Sequence, residues 1–378
     1  QAQPRVGREE PVGGEVEAFV EGNAALGFRG GHERSVSPKG VREPPEGWQF
    51  VFAGRAGLAN IGRMNGGKID TLRVRRRFRR PLLTGRGPVE AVDRLLLRTE
   101  TDEGVGYGEV APWPGFPTET IDQAAEVIRS AQGSLGRVRA VAAAAGDTLP
   151  CLRAALSSCA HWSEIAGYAG NLEGAGLAEA ATAEAVRAKA TEGFATVKVK
   201  LAGTTDLADV RALLADVPGV RLRLDANGGL DLAAARAWTE FARAEPRIDF
   251  LEQPLPVGHP GYASLGPDKV ALDESFLTPA GIDWAGPVVV KPALVGDWDA
   301  FRAWRATRVG PVVYSSAFET AIGRQGALCL ASQDASAGTV GFDTLGRFES
   351  DGRDRHAHGP AASGLPGYDW ATFWHDLT

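Results

Sequence analysis

From residue 194 onward the chain repeats one pattern. A short apolar β run ends in a charged or hydroxyl side chain, and a helical stretch follows. The runs are FATVKVKL, VRLRLDAN, IDFLEQP, KVALDES, GPVVVKP and GPVVYSSA. Segments with helical periodicity, such as TTDLADVRALLADV and DLAAARAWTEFARAEP, stand between them. Strand, helix, strand in steady succession marks βαβ units and a parallel sheet. Six such runs in a row favour a closed (β/α) barrel over an open sheet. A barrel gathers its function at the C-terminal ends of its strands.

The strand ends are where the chemistry collects. Lys198 and Lys200 end the first run, Asp225 and Asn227 the second, and Glu252 the third. Asp273 ends the fourth, Lys291 the fifth, and Ser315 and Ser316 the sixth. Strand parity adds a constraint, because side chains two apart share a face. Lys198 and Lys200 share one face, opposite Val197, Val199 and Leu201; Arg221, Arg223, Asp225 and Asn227 share another, opposite Leu222 and Leu224. The apolar face must meet the outer helices, so the polar face points into the barrel. Isolated charges there are costly and must pair with one another or with a metal. Asp225, Glu252 and Asp273, on consecutive strands, suit a hard divalent cation such as Mg²⁺. A lysine near that cation and near a second lysine has its charged form disfavoured. A fall from ~10.4 to ~8 needs only about 3 kcal/mol of differential interaction, and it makes the amine a usable general base.

The rest of the chain sets limits. Its 378 residues allow two domains, and 44% hydrophobic with 23% charged residues fits a globular protein. A formal net charge of −6 gives no global field for nucleic acid or an anionic membrane. No apolar run reaches the ~18–20 residues that span a bilayer, and no signal-peptide core stands at the N-terminus. Three cysteines, Cys151, Cys159 and Cys329, lack metal-ligand spacing and point to a reducing cytoplasm, with Cys151 and Cys159 as core residues of a helix. Residues 1–63 are rich in Gly, Glu, Arg and Pro without periodicity, which reads as a disordered extension. Ordered alternation begins just after Met64, the single methionine, so the natural start is expected at or near it. KIDTLRVRRRF and DRLLLRTETDEGVGYGEV read as strands with a Gly-rich turn between two β runs, and 119–147 and 150–168 as helices. The basic run RVRRRFRR (73–80) reads as a solvated strand rather than a nucleic-acid site.

The order K-x-K, D-x-N, E-Q-P, D-E-S, K-P resembles the enolase superfamily, in the muconate lactonizing enzyme-like subgroup with lysines on opposite sides of the barrel. Two loops narrow the resemblance to the o-succinylbenzoate synthase family: GEVAPWPGFPTET (108–120), similar to that family's capping loop, and SSAFETAIG (315–323), similar to its seventh strand end. GFDTLGRF (341–348) is similar to its last barrel segment. The resemblance implies an α/β fold: a (β/α)₇β modified TIM barrel over 166–349, with an α+β enolase-type capping domain from 64–165 and part of 350–378. The loops at 81–89 and 108–120 would close over the site.

The implied reaction is syn-dehydration of 2-succinyl-6-hydroxy-2,4-cyclohexadiene-1-carboxylate to 2-succinylbenzoate, in menaquinone or phylloquinone biosynthesis. The partner is then a small carboxylate substrate and the cofactor Mg²⁺, or Mn²⁺ in its place, held by Asp225, Glu252 and Asp273. Lys200 would be the base and Lys291 the opposing cation. Lys198 would support Lys200, and Asn227 would orient the metal shell or the base. Arg223 would meet the substrate ring or pair with a buried carboxylate. Ser316 would hold the succinyl carboxylate with Ser315 beside it, or Ser315 and Ser316 would cap the next helix. Opposed lysines equally suit an N-succinylamino acid racemase or another racemase or epimerase. A dipeptide epimerase fits less well, since TVGFDTLG holds Asp343 without the second Asp of that group's D-x-D pair. The non-enzymatic alternative is an inactive binding paralogue.

Overall fold

The computed structural model describes residues 66–84, 87–201 and 203–378. The segment 1–63 and the start expected at Met64 lie outside the described residues. Residues 68–110 form an antiparallel sheet of β1 (Lys68–Thr84), β2 (Gly87–Thr101) and β3 (Gly104–Val110), in that order. Along β1, Val74, Arg76 and Phe78 are buried while Arg73, Arg75 and Arg77 are exposed, the period of two that a half-buried strand requires. The basic run is therefore a strand, with one exception to its solvation. Arg76 is 0% exposed, bonds Asp351 at 2.8 Å and Asp354 at 2.7 Å, and lies 3.7 Å over the Phe348 ring.

Helices α1 (Ile121–Ser130), α2 (Leu135–Ala144), α3 (Pro150–Ala160) and α4 (Trp162–Ala166) occupy the expected helical spans. The first opens on a capping box between Thr120 and Gln123, which satisfies two backbone donors at once. The glycines of GVGYGEV do more than turn the chain. Gly106 and Gly108 lie inside β3, where an added Cβ would stand 2.2 Å from the carbonyl oxygens of Cys159 and Ala155. Only bare backbone lets β3 lie this close to α3. Cys151 and Cys159, both on α3, are free and buried in the core.

The barrel follows. It is preceded by β4 (Asn171–Glu173), which lies outside the ring, and its elements are β5 (Gly176–Leu177), α5 (Ala183–Thr191), β6 (Thr196–Lys200), α6 (Leu207–Asp216), β7 (Arg221–Asp225), α7 (Leu232–Ala244) and β8 (Ile248–Glu252). Then come α8 (Tyr262–Leu265), β9 (Val270–Ala271), α9 (Pro279–Ile282), β10 (Val288–Val290), α10 (Trp298–Thr307), β11 (Val312–Tyr314) and α11 (Ala321–Ser332); β12 (Ala361–Ser363), which pairs with β4, and α12 (Trp370–Leu377) follow. All six sequence runs are strands. β5 to β9 form one parallel sheet, and β10 pairs with β11. Single bridges complete the ring: Leu272 to Val288, Ser315 to Gly341, and Val340 to Gly174. With the 340–341 segment as its last member, the ring has eight positions. The last position falls at the start of GFDTLGRF, where the resemblance placed the last barrel segment, whereas β5, two residues long, was not singled out in the sequence.

Val197, Val199, Leu222 and Leu224 pack outward against Val210, Leu213, Trp238 and Phe241 of α6 and α7. That apolar contact turns the polar face of β6 and β7 inward. The chain's end returns to its beginning: Trp370 meets Trp162 at 5.2 Å, and Trp374 meets Tyr107 at 5.9 Å. Among the described residues, no helix is long and apolar enough to cross a membrane.

Candidate active site

A cavity of about 330 Å³ opens at the C-terminal ends of the parallel strands. Every site residue expected from the sequence lines it: Lys198, Lys200, Arg223, Asp225, Asn227, Glu252, Asp273, Lys291, Ser315 and Ser316. Register explains the gathering. Lys200 stands beside Asp225, and Asp225 beside Glu252, so the strand ends sit at one level. Lys198 Nζ bridges Asp225 Oδ2 and Glu252 Oε1, each at 2.8 Å. Lys291 donates to Asp273 and lies 4.5 Å over the Phe116 ring.

The two lysines of β6 have opposite electrostatics. Burial disfavours the Lys198 cation, but Asp225 and Glu252 outweigh it and raise its pKa. Burial also disfavours the Lys200 cation, and the Lys198 ammonium adds to that, so its pKa falls despite Asp225. Burial opposes ionisation of Asp225, yet Lys198 and Lys200 hold its carboxyl below the usual range. Glu252 is pushed up to about 7 by burial, against Lys198 and with help from Asp225 and Asp273.

Residues 180–285 match the family model described as "Enolase C-terminal domain-like". The o-succinylbenzoate synthase of Thermosynechococcus vestitus is 29% identical over 316 residues, covering 76% of this chain and 93% of that protein. That of Edwardsiella ictaluri is 30% identical over 272 residues, covering 67% of this chain and 82% of that protein. The chain belongs to the o-succinylbenzoate synthase family of the enolase superfamily. A solved member from Thermosynechococcus elongatus, complexed with Mg in its active site, aligns with a TM-score of 0.69 at 26% identity, covering 82% of this chain and 98% of that one. The L-Ala-D/L-Glu epimerase of Bacillus subtilis shares the fold, with a TM-score of 0.66 at 20% identity, covering 80% and 97%.

The surrounding contacts decide between some of the expected alternatives. Ser315 and Ser316 do not cap α11, whose N-cap position is Thr320. Ser315 Oγ donates to the Gly341 carbonyl at 3.2 Å and Ser316 Oγ to Glu319 at 2.5 Å, so both hydroxyl protons are committed within the chain. Of the two readings of Arg223, the buried pair is present: Nε donates to Asp249 at 3.2 Å, and NH2 to the Thr339 carbonyl at 2.8 Å. Asn227 donates its backbone N–H to Asp225 Oδ1 at 3.0 Å, from a left-handed backbone at φ 45°. Described residues of the expected 81–89 loop belong to β1 and β2, whose Leu82 and Thr84 reach the cavity.

The structure adds residues that the strand-end pattern left without a role. Gln253 follows Glu252 and ties two strand ends together. Its Oε1 accepts the N–H groups of Asp273 and Ser275, and its Nε2 donates to Ser275, Tyr262 and the Leu255 carbonyl. Glu274 follows Asp273 and lines the cavity; its Oε2 is buried without a hydrogen-bond partner. Burial and Asp273 push Glu274 up to about 8. Both stood in the quoted E-Q-P and D-E-S motifs, so neighbours of the strand-end acids were the available signal.

The donor set fits a hard divalent cation in its chemistry: acidic oxygens on three consecutive strands, with the bare Glu274 oxygen beside them. Among the described residues, no three such groups already converge as a metal cage. Lys198 stands between Asp225 and Glu252, and Lys291 holds Asp273. Cationic groups thus already sit among these oxygens, and the site accepts positive charge.

Proposed function

We propose that this protein is an o-succinylbenzoate synthase, a hydro-lyase that dehydrates 2-succinyl-6-hydroxy-2,4-cyclohexadiene-1-carboxylate to 2-succinylbenzoate in menaquinone or phylloquinone formation. One observation carries the reading. Lys200 ends β6 and Lys291 follows β10, four positions apart in a ring of eight, so they face each other across the carboxylates of β7 to β9. The relatives named above support the choice of reaction. The division at residue 165, with part of 350–378 joining the N-terminal part, belongs to the same reading and is supported by the Trp162–Trp370 contact.

Asp225, Glu252 and Asp273 would hold Mg²⁺, which bound there would act as a Lewis acid toward the substrate carboxylate. Lys200 is the base. Its lowered pKa brings the neutral amine closer to neutral pH, while the ion pairs of Lys198 keep that neighbour charged. Lys200 takes the proton α to the carboxylate. The C–H electron pair becomes the new ring double bond as the C6–O bond breaks. Protonated Lys200 returns its proton to the departing hydroxyl, which leaves as water on the same face. Lys291 adds positive charge from the opposite side as the carboxylate gains electron density.

The second reading, a racemase or epimerase, is favoured by the same opposed lysines, since 1,1-proton transfer needs a base on each face. A dipeptide substrate is disfavoured by Asp343. Its carboxylate is already taken by Lys189 at 2.8 Å and by the Leu177 N–H at 2.9 Å, leaving little for a substrate ammonium. The deciding experiment runs two assays on one preparation: Mg²⁺-dependent conversion of the cyclohexadiene, and α-deuterium exchange into N-succinyl amino acids. Dehydration is expected to dominate. Exchange without dehydration would transfer the protein to the racemases, and silence in both would favour an inactive paralogue.

A further inference from the structure

We propose that Arg94, on β2 outside the barrel, is the positioning residue for an aromatic wall that faces the substrate ring. The inference rests on the functional reading above for the nature of the ring. Trp113 and Phe318 both line the cavity and stack face to face, with centroids 4.7 Å apart and planes at 11°. Phe78 closes the group edge-on, 5.4 Å from Phe318. Such a flat apolar wall, in a cavity also lined by lysines and carboxylates, suits a conjugated six-membered ring carrying a carboxylate.

The wall does not hold itself. Phe318 has φ 61°, a left-handed backbone that a bulky residue adopts only when its surroundings impose it. Its carbonyl and those of its two sequence neighbours accept from arginine side chains. Arg94 supplies the donors. It is 0% exposed and donates through NH2 to the Ala317 carbonyl at 2.6 Å and to the Phe318 carbonyl at 3.3 Å. Its NH1 donates to the Pro112 carbonyl at 3.2 Å, just before Trp113. One guanidinium therefore fixes the backbone on both sides of the stack. Arg76 takes the next carbonyl, that of Glu319, at 2.8 Å. Glu109, 3.5 Å from Arg94, accepts the N–H and hydroxyl of Thr320 at 2.9 and 2.6 Å. The loop between β11 and α11 is held, residue by residue, by charged side chains of the N-terminal sheet. Arg94 touches no substrate atom; it sets where the aromatic wall stands and so tunes selectivity for flat rings.

The test compares Arg94→Lys, the double variant Arg94→Met with Glu109→Gln, and Phe318→Leu, each checked for folding by thermal melting. In the double variant, KM for the cyclohexadiene and the calorimetric Kd of the probe 2-succinylbenzoate with Mg²⁺ should both rise about tenfold. kcat should change less than about threefold, and Mg²⁺ affinity less than about twofold. Phe318→Leu should reproduce the binding loss with the arginines intact, and Arg94→Lys should recover part of it. An unchanged KM, or kcat and Mg²⁺ affinity falling together with KM, would overturn the proposal. The hold itself is read without substrate. Amide exchange at Phe318 and Thr320 should quicken at least about tenfold in the folded double variant, and exchange that stays unchanged overturns the inference. Absence of dehydration in the wild type, with quickened exchange in the variant, would overturn the reading of the reaction and leave the hold standing.

Discussion

The two arcs of the barrel rim use charge in different ways. From β6 to β10, charged side chains meet one another: Lys198 with Asp225 and Glu252, Lys291 with Asp273. From β11 to the 340–341 segment, charged side chains meet the backbone: Arg94 holds the carbonyls of Ala317 and Phe318, Arg76 that of Glu319, and Glu109 the Thr320 amide. The first arc stores reactive groups in a buried, mutually compensated cluster. The second stores shape. Substitutions in the first should remove chemistry while leaving the fold, and substitutions in the second should do the reverse.

The sharpest break of that comparison is Lys200→Ala. Turnover should fall by about 10³-fold or more, the range of a lost general base, with melting temperature and Mg²⁺ binding nearly unchanged. A near wild-type rate would sink the assignment. Next is Asp273→Asn, for which titration calorimetry should show Mg²⁺ affinity weakened by roughly 10–100-fold; an unchanged isotherm removes Asp273 from the ligand set. In the second arc, Arg94→Met alone leaves Glu109 buried without its cation, and urea unfolding should show a loss of about 3–5 kcal/mol. A cost under about 1 kcal/mol would mean the arc does not depend on the pair.

A pH series sharpens the contrast further. Burial pushes Glu109 up to about 7, against Arg94 and Thr320, whereas an unfolded glutamate titrates near ~4.3. The folded pKa is the higher one, so the native state binds more protons between them. The contribution is complete below ~4.3 and is lost as pH rises through about 7. Wild type should therefore lose about 2 kcal/mol relative to Glu109→Gln between pH 5 and 7.5, read from urea midpoints. Parallel stability curves would refute the shift. The smallest effect is Arg80→Ala. Its pair with Glu179 is exposed, at 81% and 59%, so neither stability nor turnover should move measurably.

The same contrast explains what could be read from the sequence. The first arc was legible because strand parity fixes side-chain direction: once Val197, Val199, Leu222 and Leu224 face the helices, Lys198, Lys200 and Asp225 have nowhere to point but inward. Gln253 and Glu274 were left without a role because each stands next to a strand-end acid and so out of step with its parity; Gln253 even has φ 41°. The second arc was hidden for a different reason. A charge that binds carbonyls has no complementary residue in the sequence to betray it. Arg94 looks like any arginine in DRLLLRTE, and Arg76 like one more basic residue in RVRRRFRR. Only burial separates Arg76 from its exposed neighbours.

Arg76 also sets a schedule. Its carboxylate partners Asp351 and Asp354 lie 275 and 278 residues further along the chain. On the ribosome, the first strand emerges long before either acid has been made. Until then its guanidinium has no counter-charge and cannot be buried without heavy cost. The sheet of β1 to β3 must wait, solvated and unfinished, while the barrel's βαβ units are produced and assembled from more local contacts. A sheet made early is thus completed late, and a chain stalled short of residue 351 would carry a complete set of reactive strand ends beneath a cover that cannot yet settle.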